Sequence, residues 1–69
     1  MRDQLVSFLL DNQNKFYRYA FTYVHHREFA MDMVQNSFLK ALDQIHTLRN
    51  PNAMKTWFYR ILTNECLQA

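Results

Sequence analysis

Not one of the sixty-nine residues is glycine, and only one, Pro51, is proline. Without glycine the chain has no residue that enters left-handed backbone at no steric cost, so tight primed hairpin turns and phosphate-cradling glycine loops are excluded. What remains open is a chain of helices joined by short polar turns. The apolar content supports this: 49% of residues are hydrophobic and 16% aromatic. At this length one domain is expected over residues 1–69. It buries only about 60% of its unfolded surface, so each apolar residue must count. An all-α, compact bundle is therefore the expected fold.

Three main helices follow from the spacing of apolar residues. Leu5, Phe8, Leu9, Phe16, Tyr19, Ala20, Tyr23 and Val24 recur at three- and four-residue steps, as on one helix face. The polar stretch DNQNK interrupts them, so the first helix is one long rod or two collinear pieces. VHHRE has no periodicity and reads as a turn. A second helix, from about Glu28 to His46, places Ala30, Val34, Phe38, Ala41, Leu42 and Ile45 on one face. TLRNPNA then breaks the pattern, because proline disfavours helix in the residue before it and Asn50 or Asn52 can cap the next helix. The third helix starts near Pro51 to Ala53 and keeps its helical character to NECLQA, which predicts continuation in a longer parent chain.

The third helix sets Trp57, Phe58 and Tyr59 side by side, sweeping about 200° of its circumference. A core stripe is little more than 100° wide, so one ring must look outward. Met54, Trp57, Phe58 and Ile61 cluster on the wheel, leaving Tyr59 opposite among Lys55, Thr56, Arg60 and Thr63, with Asn64 at the border. Glu65 falls towards the apolar side, a conflict the wheel leaves open. On the second helix, the face away from the core carries Asp32, Asn36, Lys40 and Asp43, with Gln35 at its edge. Phe29, Met33 and Leu39 also lie there, and apolar residues rimmed by polar ones are the composition of a partner interface. Scattered exposed hydrophobes on a small protein are the plainer reading of the same residues.

Charge and chemistry narrow the function classes. Eight Lys and Arg against six Asp and Glu give a net charge of +2, too mild for binding nucleic acid by charge alone. The single Cys66 excludes an internal disulfide and a cysteine zinc site, and reads as a small packing residue. His25 and His26 sit in the turn without the i, i+4 spacing of a helical zinc site, and His46 reads as a surface residue. Met31, Met33 and Met54 read as core or edge filler. No catalytic constellation, metal or cofactor is expected. The apolar stretch around Phe8 to Leu10 is too short to cross a bilayer and the N-terminus lacks a signal-cleavage pattern, so the cytoplasm is the default.

Two motifs bring in a resemblance. DMVQNSFLKAL with Asp32, Gln35, Asn36 and Phe38, followed by MKTWFYRILTN with Trp57, Phe58, Arg60, Ile61 and Asn64, resembles region 2 of bacterial RNA polymerase sigma factors of the extracytoplasmic-function (ECF) class. FYRYAFTYV, residues 16–24, is similar to that family's first helix. The resemblance implies a transcription initiation factor domain, not an enzyme. It implies that Asp32, Gln35, Asn36, Leu39, Lys40 and Asp43 dock on the clamp helices of the polymerase beta-prime subunit. It further implies that Asn50, Asn52, Lys55, Thr56, Tyr59, Arg60, Thr63 and Asn64 handle the promoter minus-ten element, captured as a non-template single strand with Tyr59 as a stacking ring. An anti-sigma factor is a further implied partner. Without the resemblance, Lys55 and Arg60 read as a solvated face, and Asn50 and Asn52 serve equally as helix caps.

Three departures stand out. Asn36 occupies a position where the family usually has glutamate, Asn52 and Ala53 replace a Gly-Ser pair, and Met54 replaces an aromatic. The basic continuation of the last helix and the helix-turn-helix domain that reads the minus-thirty-five element are not in this sequence, so a fragment of a longer two-domain factor is expected, the alternative being a factor whose other half is a separate polypeptide. The rival reading is a helical protein-interaction module with no DNA role. A small helical enzyme has little to support it.

Overall fold

A computed structural model describes residues 1–68; Ala69, the end of the expected helical run, lies outside the described residues. The described residues form four α-helices: α1 (Arg2–Asp11), α2 (Gln13–Val24), α3 (Arg27–Gln44) and α4 (Met54–Gln68). Short 3-10 turns at Ile45–Thr47 and Pro51–Ala53 lie between α3 and α4. The all-α expectation is borne out, and the first helix is the broken one of the two forms considered. Asn12 makes the break. Its backbone leaves the helical region (φ −117°, ψ 16°), and its side-chain amide donates to the Phe8 carbonyl at 2.8 Å, satisfying an acceptor at the end of α1.

The turn between α2 and α3 shows how a chain without glycine ends a helix. His25 takes the left-handed conformation (φ 54°), and its N–H bonds the Phe21 carbonyl at 2.9 Å. Histidine is one of the few non-glycine types enriched there. His26 then extends and caps α3, its Nδ1 accepting the Phe29 N–H at 3.4 Å. The Asn50 side chain accepts the Asn52 N–H at 3.0 Å, with Pro51 in the first position of the turn that leads into α4. Of the two candidate caps, Asn50 makes the capping bond. Between these turns Leu48 returns to the core, buried within a stretch that carries no periodic signal.

Each helix contributes one phenylalanine to the centre. Phe16 of α2 and Phe58 of α4 lie 4.5 Å apart between ring centroids, with Phe8 of α1 at 5.5 Å from Phe16 and Phe38 of α3 at 5.9 Å from Phe58. Leu5, Leu9 and Leu62 close the cluster. On α3 the buried positions are small: Ala30, Ser37 and Ala41, with Val34 the largest. Small residues let backbones approach, and α3 packs against both α2 and α4. The expected α3 face is thus found, with Ser37 added. The Ser37 hydroxyl, fully buried, is satisfied by donating to the Met33 carbonyl at 2.7 Å. Cys66 is buried as expected. Burial pushes its thiol pKa up and the neighbouring Glu65 charge adds to the shift, so the reactive thiolate is suppressed.

Removing Phe58 tests the shared centre. Phe58→Ala is expected to cost about 3–5 kcal/mol through lost burial and a cavity. That is comparable to the whole stability of a chain of this size. Urea denaturation followed by circular dichroism should find the variant largely unfolded at room temperature.

Candidate functional site

The surface of α4 is set by a core stripe of Met54, Phe58, Leu62 and Cys66, each four residues after the last. Steps of four advance about 40° beyond a full turn, so the stripe slants across the helix instead of following the expected Met54, Trp57, Phe58 and Ile61. This moves Tyr59 to one border of the core and Trp57 to the other. Tyr59 is therefore not the ring left outside. It is half-buried, edge-on to Phe16 at 5.4 Å and to Tyr19 at 5.0 Å. Thr63 is drawn to the same side, its Oγ1 sharing a hydrogen bond with the Tyr19 hydroxyl at 2.6 Å. The outermost tyrosine of this group is Tyr23 of α2, at 42% exposed. Its hydroxyl lies 3.3 Å from that of Tyr19, and that contact is the main cause of a phenol pKa raised above its ordinary value.

The other border is fixed by Trp57. Its indole N–H donates to Thr47 Oγ1 at 3.1 Å, while the Thr47 hydroxyl donates to the Gln44 carbonyl at 2.7 Å. The connection between α3 and α4 is thereby tied to α4. Lys55, Thr56, Arg60 and Asn64 are exposed on α4, and Asn50 and Asn52 are exposed in the preceding turn. Six of the eight residues expected to handle DNA are thus open to solvent, and Tyr59 and Thr63 form their inner edge.

On α3 all six expected docking residues are exposed: Asp32, Gln35, Asn36, Leu39, Lys40 and Asp43, with Leu39 at 67%. Phe29 is exposed beside them, but Met33 is half-buried against the core, correcting its expected place on the outer face. Of Met31, Met33 and Met54, all expected as core or edge filler, Met31 is instead exposed. It lines a groove of about 360 Å³ with Tyr17, Val34, Gln35 and Phe38.

Glu65 resolves the conflict on the α4 wheel. Its Oε1 lies 2.5 Å from the Lys40 ammonium, and its Oε2 accepts from the Asn36 amide at 3.3 Å. Oε1 is shut off from solvent, with the Lys40 charge as its compensation. Two of the α3 docking candidates are therefore partly engaged by α4. The contact also supplies a physical reason for asparagine at position 36, since a glutamate there would set a second carboxylate beside Glu65.

The family described as Sigma-70 region 2 matches residues 8–69. The chain belongs to the sigma-70 region 2 family. The resemblance to the ECF class drawn from the α3 and α4 motifs stands with it. This region 2 chain is 44% identical over 63 residues to the RNA polymerase sigma factor SigV of Bacillus subtilis (strain 168), covering 91% of this chain and 38% of that protein. It is 32% identical over 60 residues to the sigma factor YlaC of the same organism, covering 87% of this chain and 35% of that one. The region 2 chain thus spans well under half the length of the curated relatives it matches. No solved structure matches it. Among the described residues no helix is long and apolar enough to cross a membrane.

Glutamate at position 36 should therefore be tolerated poorly here. Asn36→Glu is expected to destabilise the domain by about 0.5–1 kcal/mol, a modest figure because both Asn36 and Lys40 are reached by solvent. Glu65→Gln in the same chain should restore most of the loss. Thermal unfolding of the two single variants and the double variant measures the coupling directly.

Proposed function

We propose that this sigma factor domain initiates transcription without chemistry of its own, docking on core RNA polymerase through α3 and holding unpaired promoter DNA on α4. The observation that carries the reading is the separation of two exposed polar faces on neighbouring helices, in a chain of the sigma-70 region 2 family. On α3, Leu39 provides an apolar anchor that a partner can desolvate, and Asp32, Gln35 and Asp43 rim it. Such an arrangement concentrates binding energy in a few central residues. The partner is the beta-prime clamp helices, and the acids of the rim meet basic side chains on them.

On α4, Lys55 and Arg60 neutralise phosphates of the non-template strand at the minus-ten element. Asn50, Asn52, Thr56 and Asn64 offer amide and hydroxyl groups to base edges, which an unpaired strand leaves free. Turning a base out of its stack costs a few kcal/mol, and the aromatic border supplies part of the compensation. Tyr59 does this as a wall braced by Phe16 and Tyr19, not as a free-standing stacking plate.

Two measurements test the two faces separately. Asp32→Ala combined with Leu39→Ala should weaken association with core polymerase by about tenfold or more. Lys55→Ala and Arg60→Ala should each reduce the slope of log affinity against log salt for a minus-ten single strand by about 0.7. If polymerase binding responds to the first pair while the strand is never bound, the domain is a protein-interaction module and the DNA half of the reading fails.

A further inference from the structure

Tyr19 belongs to α2, outside both faces, and its ring and hydroxyl both reach α4. The ring stands edge-on to Tyr59 at 5.0 Å and an interplanar angle of 76°. The hydroxyl shares a 2.6 Å bond with Thr63 Oγ1, forty-four residues away in sequence, and lies 3.3 Å from the Tyr23 hydroxyl. We propose that Tyr19 is a positioning residue for base selection: it fixes the orientation of Tyr59 and the hydroxyl polarity of Thr63, the two side chains at the inner edge of the promoter-strand surface. The inference rests on the reading of α4 given above.

The chemistry of hydroxyl groups makes this more than a brace. Each hydroxyl carries one hydrogen and two lone pairs. When Tyr19 donates to Thr63, the Thr63 hydrogen is free to point outward and meets an acceptor on a base. When Thr63 donates to Tyr19, its outward side offers only a lone pair and meets a base donor. A threonine with no such partner turns its hydroxyl to suit either, or bonds back to its own helix. When Tyr23, at the exposed end of the row, donates to Tyr19, the Tyr19 hydrogen is left for Thr63 and the row runs in one direction. The tyrosine row thus converts a threonine that would accept any base edge into one with a preference. Phenylalanine at position 19 keeps the ring against Tyr59 and removes only the hydroxyl, which separates the polar role from packing.

The test uses the chain bound to core RNA polymerase and a panel of fluorescent non-template single strands, each minus-ten position being varied through the four bases. Wild type is expected to prefer one base at one position over the others. Tyr19→Phe and Thr63→Val should each flatten that preference by about fivefold, the size of one hydrogen bond's net contribution. The double variant should be no flatter than either single one. Melting temperature and polymerase affinity of Tyr19→Phe should stay near wild type. A Tyr19→Phe complex that keeps the wild-type base profile, or that weakens on every strand equally, overturns the inference. So does a wild-type complex that binds the strands without any base preference. A wild-type complex that binds no strand at all overturns the reading of α4 along with it, an outcome plainly distinct from the others.

Discussion

Everything in this domain depends on the contact between Phe16 and Phe58. Their ring centroids are 4.5 Å apart, and both side chains are almost wholly sealed from water. Phe8 and Phe38 complete a four-ring centre in which each α-helix supplies one member. Tilted and edge-to-face pairs of this kind add about 0.5–1.5 kcal/mol each beyond the area they bury. Concentrating the core in four large rings is an efficient solution for a chain too small to build a second layer. It lets the middle of α3 use Ala30, Ser37 and Ala41, and it leaves most of the outer sides of α3 and α4 exposed.

Those two outer sides are not independent. Glu65 leaves α4 to meet Lys40 and Asn36 of α3, so the helix proposed to hold DNA and the helix proposed to hold polymerase share an ion pair. Lys40 is thereby partly neutralised within the domain, whereas Asp32 and Asp43 are exposed on α3 and, among the described residues, enter no ion pair. A partner approaching α3 meets a face more acidic than its residue count implies. Asparagine at position 36 belongs to the same local balance. It donates to a carboxylate where an acid would repel it.

Much of this was legible from residue spacing. The turns at His25–His26 and around Pro51 and the α3 core face follow from local rules of periodicity and capping, which act over a few residues, whereas DNQNK leaves the break near Asn12 as one of two forms. The α4 wheel is ambiguous for a physical reason. Its apolar positions are compatible with two stripes, one through Trp57 and Ile61 and one through Leu62 and Cys66. The second stripe is the buried one, with Tyr19 bonding Thr63 and flanking Tyr59 at its border, and no single-helix wheel can display a partner forty-four residues away. Glu65 escaped for the same reason, since a carboxylate on an apolar face makes sense only once Lys40 is placed opposite. Leu48 carried no periodic signal because it acts as one plug in a non-helical connection.

The bond between Trp57 and Thr47 has a consequence of its own. Trp57 is the sole tryptophan of the chain, and its indole clasps the segment that links α3 to α4. Indole emission changes with the polarity around the ring and with what its N–H touches. The molecule therefore carries a built-in optical gauge, sited where any shift of that linker on meeting DNA or protein would alter its colour or brightness, with no dye attached.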